Sequence, residues 1–231
     1  MMDDNSVSYL AQLILSRSSK NCVNNTHKRD YYRGTFTSDK LMKNKRLKFN
    51  ISSRGSRHNF LFCFVVNTLT HEGVYNGQVG HWLAISIRYD NCRNYLTVHF
   101  FDSFAKNYSN YNHVKGYVDW VKSACALNNV KFIYDSLNFP IQDTFSKLCG
   151  VYVCRAVARV WESKHAAAGD SKLDHMFSTY GRDRRGNDLK MIRYLYKEWT
   201  TAHCHNTPFH SGLICRKPCH KVRITTSVSC I

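Results

Sequence analysis

The sequence predicts an α+β fold, a mixed central sheet flanked by helices. Residues 81–89 alternate apolar and polar side chains, and after the polar turn Asp90-Asn91-Cys92-Arg93-Asn94 residues 95–102 return as a second strand, as in an antiparallel hairpin. Residues 114–127, 149–161 and 189–199 repeat apolar side chains at helical spacing. The order strand, helix, strand between 95 and 134 adds a right-handed crossover unit.

Taken in order, Val7, Leu10, Leu13 and Ile14 share one helical face between residues 6 and 16, with Asp3 and Asp4 ahead, where negative charge favours a helix start. Residues 18–58 are polar, basic and dotted with aromatics, a pattern of loops and short elements. Residues 59–68 read as a buried strand or a short helix, which periodicity does not separate. In the next segment His81, Leu83, Ile85, Ile87 and Tyr89 fall on one face, with Ala84, Ser86 and Arg88 on the other. If the following turn is centred on residues 91 and 92, opposed residues sum to 183, which sets His81 across from Asp102. A five-residue loop centred on Cys92 shifts that pairing by one.

Val114, Tyr117, Val118, Val121, Ala124 and Cys125 make an amphipathic helix, and residues 130–134 a short strand. Residues 136–148, with Pro140, are loop. The helix from about residue 149 to 161 buries Val151, Cys154, Val157, Ala158 and Trp161, with Arg155, Arg159 and Glu162 toward water. In the helix 189–199, Leu189, Ile192, Leu195 and Trp199 point inward. The last thirty residues lack clear periodicity.

Hydrophobic and aromatic contents of 43% and 13% exclude wholesale disorder. The longest apolar run, Phe60 to Val66, is too short to cross a bilayer, so no membrane association is expected. Met-Met-Asp-Asp-Asn is no secretory leader, and most cysteines, such as Cys63, Cys125 and Cys154, lie in apolar patterns, where a free thiol acts as a small hydrophobe. A reducing compartment and no secretion are expected. The net charge is +17; residues 40–57 hold seven Lys/Arg and no acid. Such an excess attracts polyanions, because neutralised phosphates release counterions. Nucleic acid is the expected partner, with Lys43, Lys45, Arg46 and Lys48 as candidate contacts.

The chemistry centres on Gln142-Asp-Thr-Phe-Ser-Lys-Leu-Cys149-Gly150, which runs into the central helix. A thiol at a helix start sits at the positive end of the dipole, which favours the thiolate. His81 is the candidate to hold it ionised and Asp102 to orient the imidazole. The Cys149 N–H and the Gln142 amide are candidate donors to an oxyanion. Gly150 permits close packing at the helix start, and Trp82 beside the histidine can shield the imidazole. In the tail, His203, Cys204, His205, His210, Cys215, Cys219 and His220 fit no standard ligand spacing, so no metal site is expected.

These motifs resemble adenain, the adenovirus-type maturation cysteine protease, within the clan that also holds Ulp1-type enzymes. Gly80-His81-Trp82-Leu83-Ala84 resembles the family's histidine strand, and Phe101-Asp102-Ser103-Phe104 its acidic member followed by an aromatic. The glutamine-to-cysteine interval of seven is the adenain spacing, and Cys149-Gly150-Val151-Tyr152-Val153-Cys154 is similar to the family's cysteine helix. Tyr31-Tyr32-Arg33-Gly34-Thr35-Phe36, Val65-Val66-Asn67-Thr68 and the basic late helix 181–199 are also similar.

The resemblance implies residues 1–200 as a cysteine protease domain and 201–231 as a basic Cys/His-containing tail. It implies a viral endopeptidase that cleaves virion precursor proteins at glycine-containing sites, in the virion and the host nucleus or cytoplasm. Its chemistry needs no cofactor; DNA is the implied activator. Where adenain commonly has Glu this chain has Asp102, the Ulp1-type choice, and the interval from His81 is longer than usual. A basic activating peptide is implied as a partner, although Cys125 does not match the position of the cysteine that binds it. Two alternatives stand beside this: a Ulp1-like protease removing SUMO- or ubiquitin-like tails, and an inactive basic nucleic-acid-binding virion protein.

Overall fold

The computed structural model describes residues 4–17, 31–49, 59–78, 80–164 and 172–204. Helix α1 (Asp4–Arg17) precedes strands β1 (Tyr32–Thr37) and β2 (Phe60–Asn67). A short helix α2 (His71–Tyr75) leads to β3 (Trp82–Asp90) and β4 (Tyr95–Phe101). Then come α3 (Asn112–Leu127), β5 (Lys131–Ser136), α4 (Cys149–Lys164), α5 (Leu173–Met176) and α6 (Arg184–Cys204). The five strands form one mixed sheet in sequential order. β1–β2 and β4–β5 are parallel; β2–β3 and β3–β4 are antiparallel. This is the α+β architecture that alternation and helical spacing predict.

Strand alternation sorts the core into two layers. Leu83, Ile85, Ile87 and Tyr89 meet the apolar face of α3, including Val114, Tyr117, Val118 and Val121. Trp82, Ala84 and Phe101 turn the other way, toward α1 and α4. Residues 60–67 resolve as a strand, buried from Leu61 to Asn67 because helices cover both sheet faces.

Four expectations are corrected. β1 falls in a stretch read as loops and short elements. β1 is a short edge strand, buried at Tyr32 and Thr37 and half-buried between them, whose register slips between Tyr32 and Thr35, where Gly34 has φ +116. In the hairpin, paired residues sum to 185, from Ala84↔Phe101 to Asp90↔Tyr95, so neither predicted register holds. The turn has four residues, 91–94, closed by Arg93 N–H donating to Asp90 Oδ1 and by Asn94 in the left-handed region.

Helix α4 is buried nearly all round: Tyr152, Val153, Ala156 and Val160 are core residues along with the predicted stripe. Arg155 does not face open water. Its guanidinium lies 4.6 Å from the Tyr194 ring centre and 3.6 Å from Glu162. Last, the inward face of α6 is Asn187, Asp188 and Met191, whereas Leu189 and Ile192 are 56% and 47% exposed and Leu195 is half-buried. The reason is polar: Asn187 Nδ2 donates to Ile141 O (3.0 Å) and Gly181 O (2.8 Å), and Asp188 accepts from Tyr152 OH (2.9 Å). The Trp199 side chain lies outside the described set.

Cys63, Cys92, Cys125, Cys149 and Cys154 are free. Burial pushes the thiols of Cys63 and Cys154 well up, as expected of inert core thiols. Among the described residues no helix is long and apolar enough to cross a membrane. α6 continues through residue 200 to Cys204, and residues 205–231 lie outside the described set.

Candidate active site

One end of the central β3–β4 pair gathers His81, Asp102 and Cys149. β3 begins and β4 ends there, because the two are antiparallel, and α4 starts above them at Cys149. His81 stands one residue before β3, with its main chain pinned twice: its N–H donates to Thr68 Oγ1 (2.9 Å), and its C=O accepts from Thr68 N (2.8 Å). Gly80 is required by close approach, since a Cβ there would lie 1.9 Å from Asn67 Oδ1, itself the acceptor for Leu69 N. Gly80→Ala is therefore expected to cost about 1–3 kcal/mol by overpacking, read by denaturant unfolding. Asn67→Ala in the same chain should restore part of the loss.

His81 Nε2 lies 2.8 Å from Asp102 Oδ1. The contact expected from the sequence exists, reached through a different register. The observed pairing stops at Ala84↔Phe101, short of both residues, and beyond it the Phe104 ring stacks on the His81 imidazole with centroids 4.8 Å apart. A tight turn after β4, closed by Ala105 N–H to Asp102 O with Ala105 at φ 55, presents both carboxylate and ring to the histidine. Trp82 is a core residue whose main-chain N–H faces the Cys149 sulfur; the ring on the imidazole is Phe104.

Asp102 is buried and fully engaged. Besides His81 it accepts Tyr111 OH (2.7 Å) and Phe104 N–H (2.8 Å). Burial opposes its charge, but these partners, His81 first, hold the carboxyl below its ordinary range. For His81, burial also opposes charge; the hydrogen bonds to Asp102 and Cys149 outweigh it and raise the imidazole to about 9. For Cys149, burial favours the thiol, yet His81 and the main-chain N–H groups of Trp82 and Gly150 bring its pKa below the ordinary value. With Nε2 taken by Asp102, Nδ1 is the ring nitrogen left for the sulfur. A thiolate–imidazolium pair is the state this geometry favours.

Gln142 sits fully buried in the loop before α4. Its Oε1 accepts Ser103 Oγ–H (2.5 Å), and its Nε2 donates to Ser146 O (2.9 Å). Ser103 O also accepts the main-chain N–H groups of Ile141 and Gln142. The amide is thus held in one orientation, and its nitrogen carries a second hydrogen. Gly150 is buried at the helix start.

Sequence reasoning did not give roles to Ser103, Tyr111 and the Asn67–Thr68 pair. Ser103, next to Asp102, carried a signal: a small hydroxyl residue straight after a buried carboxylate. Tyr111 carried none. Ser103→Ala should lower kcat about 10- to 100-fold by freeing the Gln142 amide, without moving the pH profile. Alkylation of Cys149 by iodoacetamide, which makes no oxyanion, should stay unchanged.

Lys43, Lys45, Arg46 and Lys48 are exposed around a short 3₁₀ turn, 45–47, away from this site in sequence, and Arg46 O accepts from Arg33. Among the described residues no cluster of three or more His, Cys, Asp or Glu is placed to hold a metal, and most of the tail's His and Cys lie outside them.

No family model and no curated protein matches the chain. Solved structures show distant likenesses. The Legionella pneumophila effector RavZ is 13% identical over 84% of this chain and 64% of that chain, with a TM-score of 0.41. A de-sumoylating protease is 14% identical over 87% and 85%, TM-score 0.41. ChlaDub1 from Chlamydia trachomatis is 9% identical over 87% and 93%, TM-score 0.48. The chain thus spans under two thirds of that RavZ chain.

Proposed function

We propose that the chain is a cysteine-type endopeptidase of the adenain kind. The observation that carries this is the convergence of Cys149, His81 and Asp102, with Cys149 lowered and His81 raised in pKa by one another. The thiolate adds to a peptide carbonyl carbon, and the oxyanion takes hydrogen bonds from the Cys149 N–H and the Gln142 amide. The C–N bond breaks as the leaving amine takes the proton from His81. His81 then removes a proton from water, which adds to the thioester carbonyl; sulfur leaves as the thiolate beside the imidazolium, and the starting pair is restored. Asp102 holds the ring and its charge throughout.

The seven-residue interval from Gln142 to Cys149 supports the adenain-like reading over a SUMO- or ubiquitin-like tail protease. The substrates are then virion precursor proteins cut at glycine-containing sites. The exposed cations Lys43, Lys45, Arg46 and Lys48 support DNA as an activator held through phosphates. The test is incubation with a glycine-rich peptide library and with ubiquitin-like fusions, with and without DNA, read by mass spectrometry. Cleavage of library peptides, faster with DNA and less so at high salt, is expected. Cleavage of the fusions alone would assign the second reading, and no cleavage by the native chain would remove the enzyme.

A further inference from the structure

Helix α6 carries three apolar–cationic pairs, Leu189-Lys190, Ile192-Arg193 and Tyr196-Lys197, at positions i, i+3 and i+7. At helical spacing these make two parallel rows, one apolar and one basic, along about two turns. All six residues are exposed. An exposed apolar row on a helix whose inward face is satisfied by Asn187, Asp188 and Met191 has no part in this core.

Ile192 and Tyr196 of the apolar row border a cavity of about 650 Å³ between α6 and α1, with Leu195 beside them and Tyr9 and Leu10 on the far wall. Tyr9 and Tyr196 are 41% and 50% exposed. Contiguous exposed apolar surface with a polar rim is the mark of a binding face. A furrow between two helices lined by Tyr9, Leu10, Ile192, Leu195 and Tyr196 fits the apolar side of a third helix.

The charge selects the occupant. Residues 201–231 hold four Lys/Arg and no acid, so the chain's own tail would set like charge against Lys190, Arg193 and Lys197. A second copy brings a net charge of +17. A bilayer surface is flat and would not follow a furrow between helices.

We propose that the α1–α6 furrow docks an amphipathic helical segment of another protein, with apolar residues in the furrow and a flanking row of Asp and Glu on Lys190, Arg193 and Lys197. The apolar contacts hold it and the charges set direction and encounter rate. The site is separate from the Cys149 centre and does not depend on the proposed activity.

The test is selection of a displayed library of helical peptides on the full chain, followed by anisotropy titration of the enriched peptides. Enriched sequences should pair an apolar stripe with an acidic one, and binding should weaken with salt. Ile192→Asp and the double variant Arg193→Glu/Lys197→Glu should each lower affinity about tenfold or more. Both change exposed residues, and an unchanged circular dichroism spectrum checks that the fold is kept. Enrichment without acidic residues, equal binding to Ile192→Asp, or no enrichment would overturn the proposal. So would binding of the chain to phosphatidylserine vesicles that Ile192→Asp abolishes, which would assign the face to lipid.

Discussion

Cys149→Ala is expected to abolish peptide cleavage, and His81→Ala to lower kcat/KM by about 10⁴- to 10⁶-fold. The first removes the sulfur placed to form the thioester. The second removes two functions at once, the cation that stabilises the thiolate and the acid that protonates the leaving amine. His81→Ala also leaves Asp102 buried without its principal partner, although Tyr111 OH and Phe104 N–H still donate to it. Any remaining cleavage in His81→Ala should rise with pH as the unassisted thiol ionises. The measurement is hydrolysis of a peptide identified from the library, with circular dichroism to show that each variant folds. Full activity in either variant would remove the proposed roles.

Asp102→Asn should lower kcat/KM by about 10²- to 10⁴-fold and move its alkaline limb downward. The sign follows from the two shifts. Cys149 is lowered, so on the acid side the pair is lost only as pH falls through that depressed value. His81 is raised to about 9, so on the alkaline side the imidazolium persists until pH rises through about 9. Between these limits the zwitterionic pair is the dominant form. Asparagine keeps a hydrogen bond to Nε2 but removes the carboxylate charge, which is among the causes of the rise. The alkaline limb should therefore retreat toward the ordinary histidine range of about 6.5. Asp102→Glu is expected to restore the position of the limb with partial activity. A limb at the same pH in wild type and Asp102→Asn would show that Asp102 does not set the imidazole's charge.

Much of this was legible in the residues. Alternation in 81–89 gave the central hairpin, because Leu83, Ile85, Ile87 and Tyr89 all meet the apolar face of α3 while the smaller or more polar Ala84, Ser86 and Arg88 lie on the other face. Helical spacing placed α1, α3 and α4. Cys149 could be found because a helix start and an upstream Gln142 fall together in sequence. His81 and Asp102 were paired correctly although the hairpin register was wrong by two. The carboxylate reaches the histidine through the turn after β4, and a turn at Ala105 with positive φ leaves little trace in sequence.

Other features were hidden for physical reasons. β1 is an edge strand with a slipped register, so burial does not impress a pattern on it. In α6, Asn187 and Asp188 point inward because Ile141 O, Gly181 O and Tyr152 OH need partners, and a hydrophobicity pattern cannot see that demand. The apolar residues displaced to the outside then form the furrow with α1. Tyr111 reaches Asp102 from the loop before α3, a contact set by chain path alone.

The account turns on the ionic state of one sulfur. Thiolate absorbance in the ultraviolet, followed against pH in wild type, Cys149→Ser and His81→Ala, reads it directly. The account predicts a Cys149-dependent thiolate signal that titrates below the ordinary thiol pKa and shifts to alkaline pH in His81→Ala. A Cys149 signal that titrates at the ordinary thiol pKa and ignores His81→Ala would contradict it.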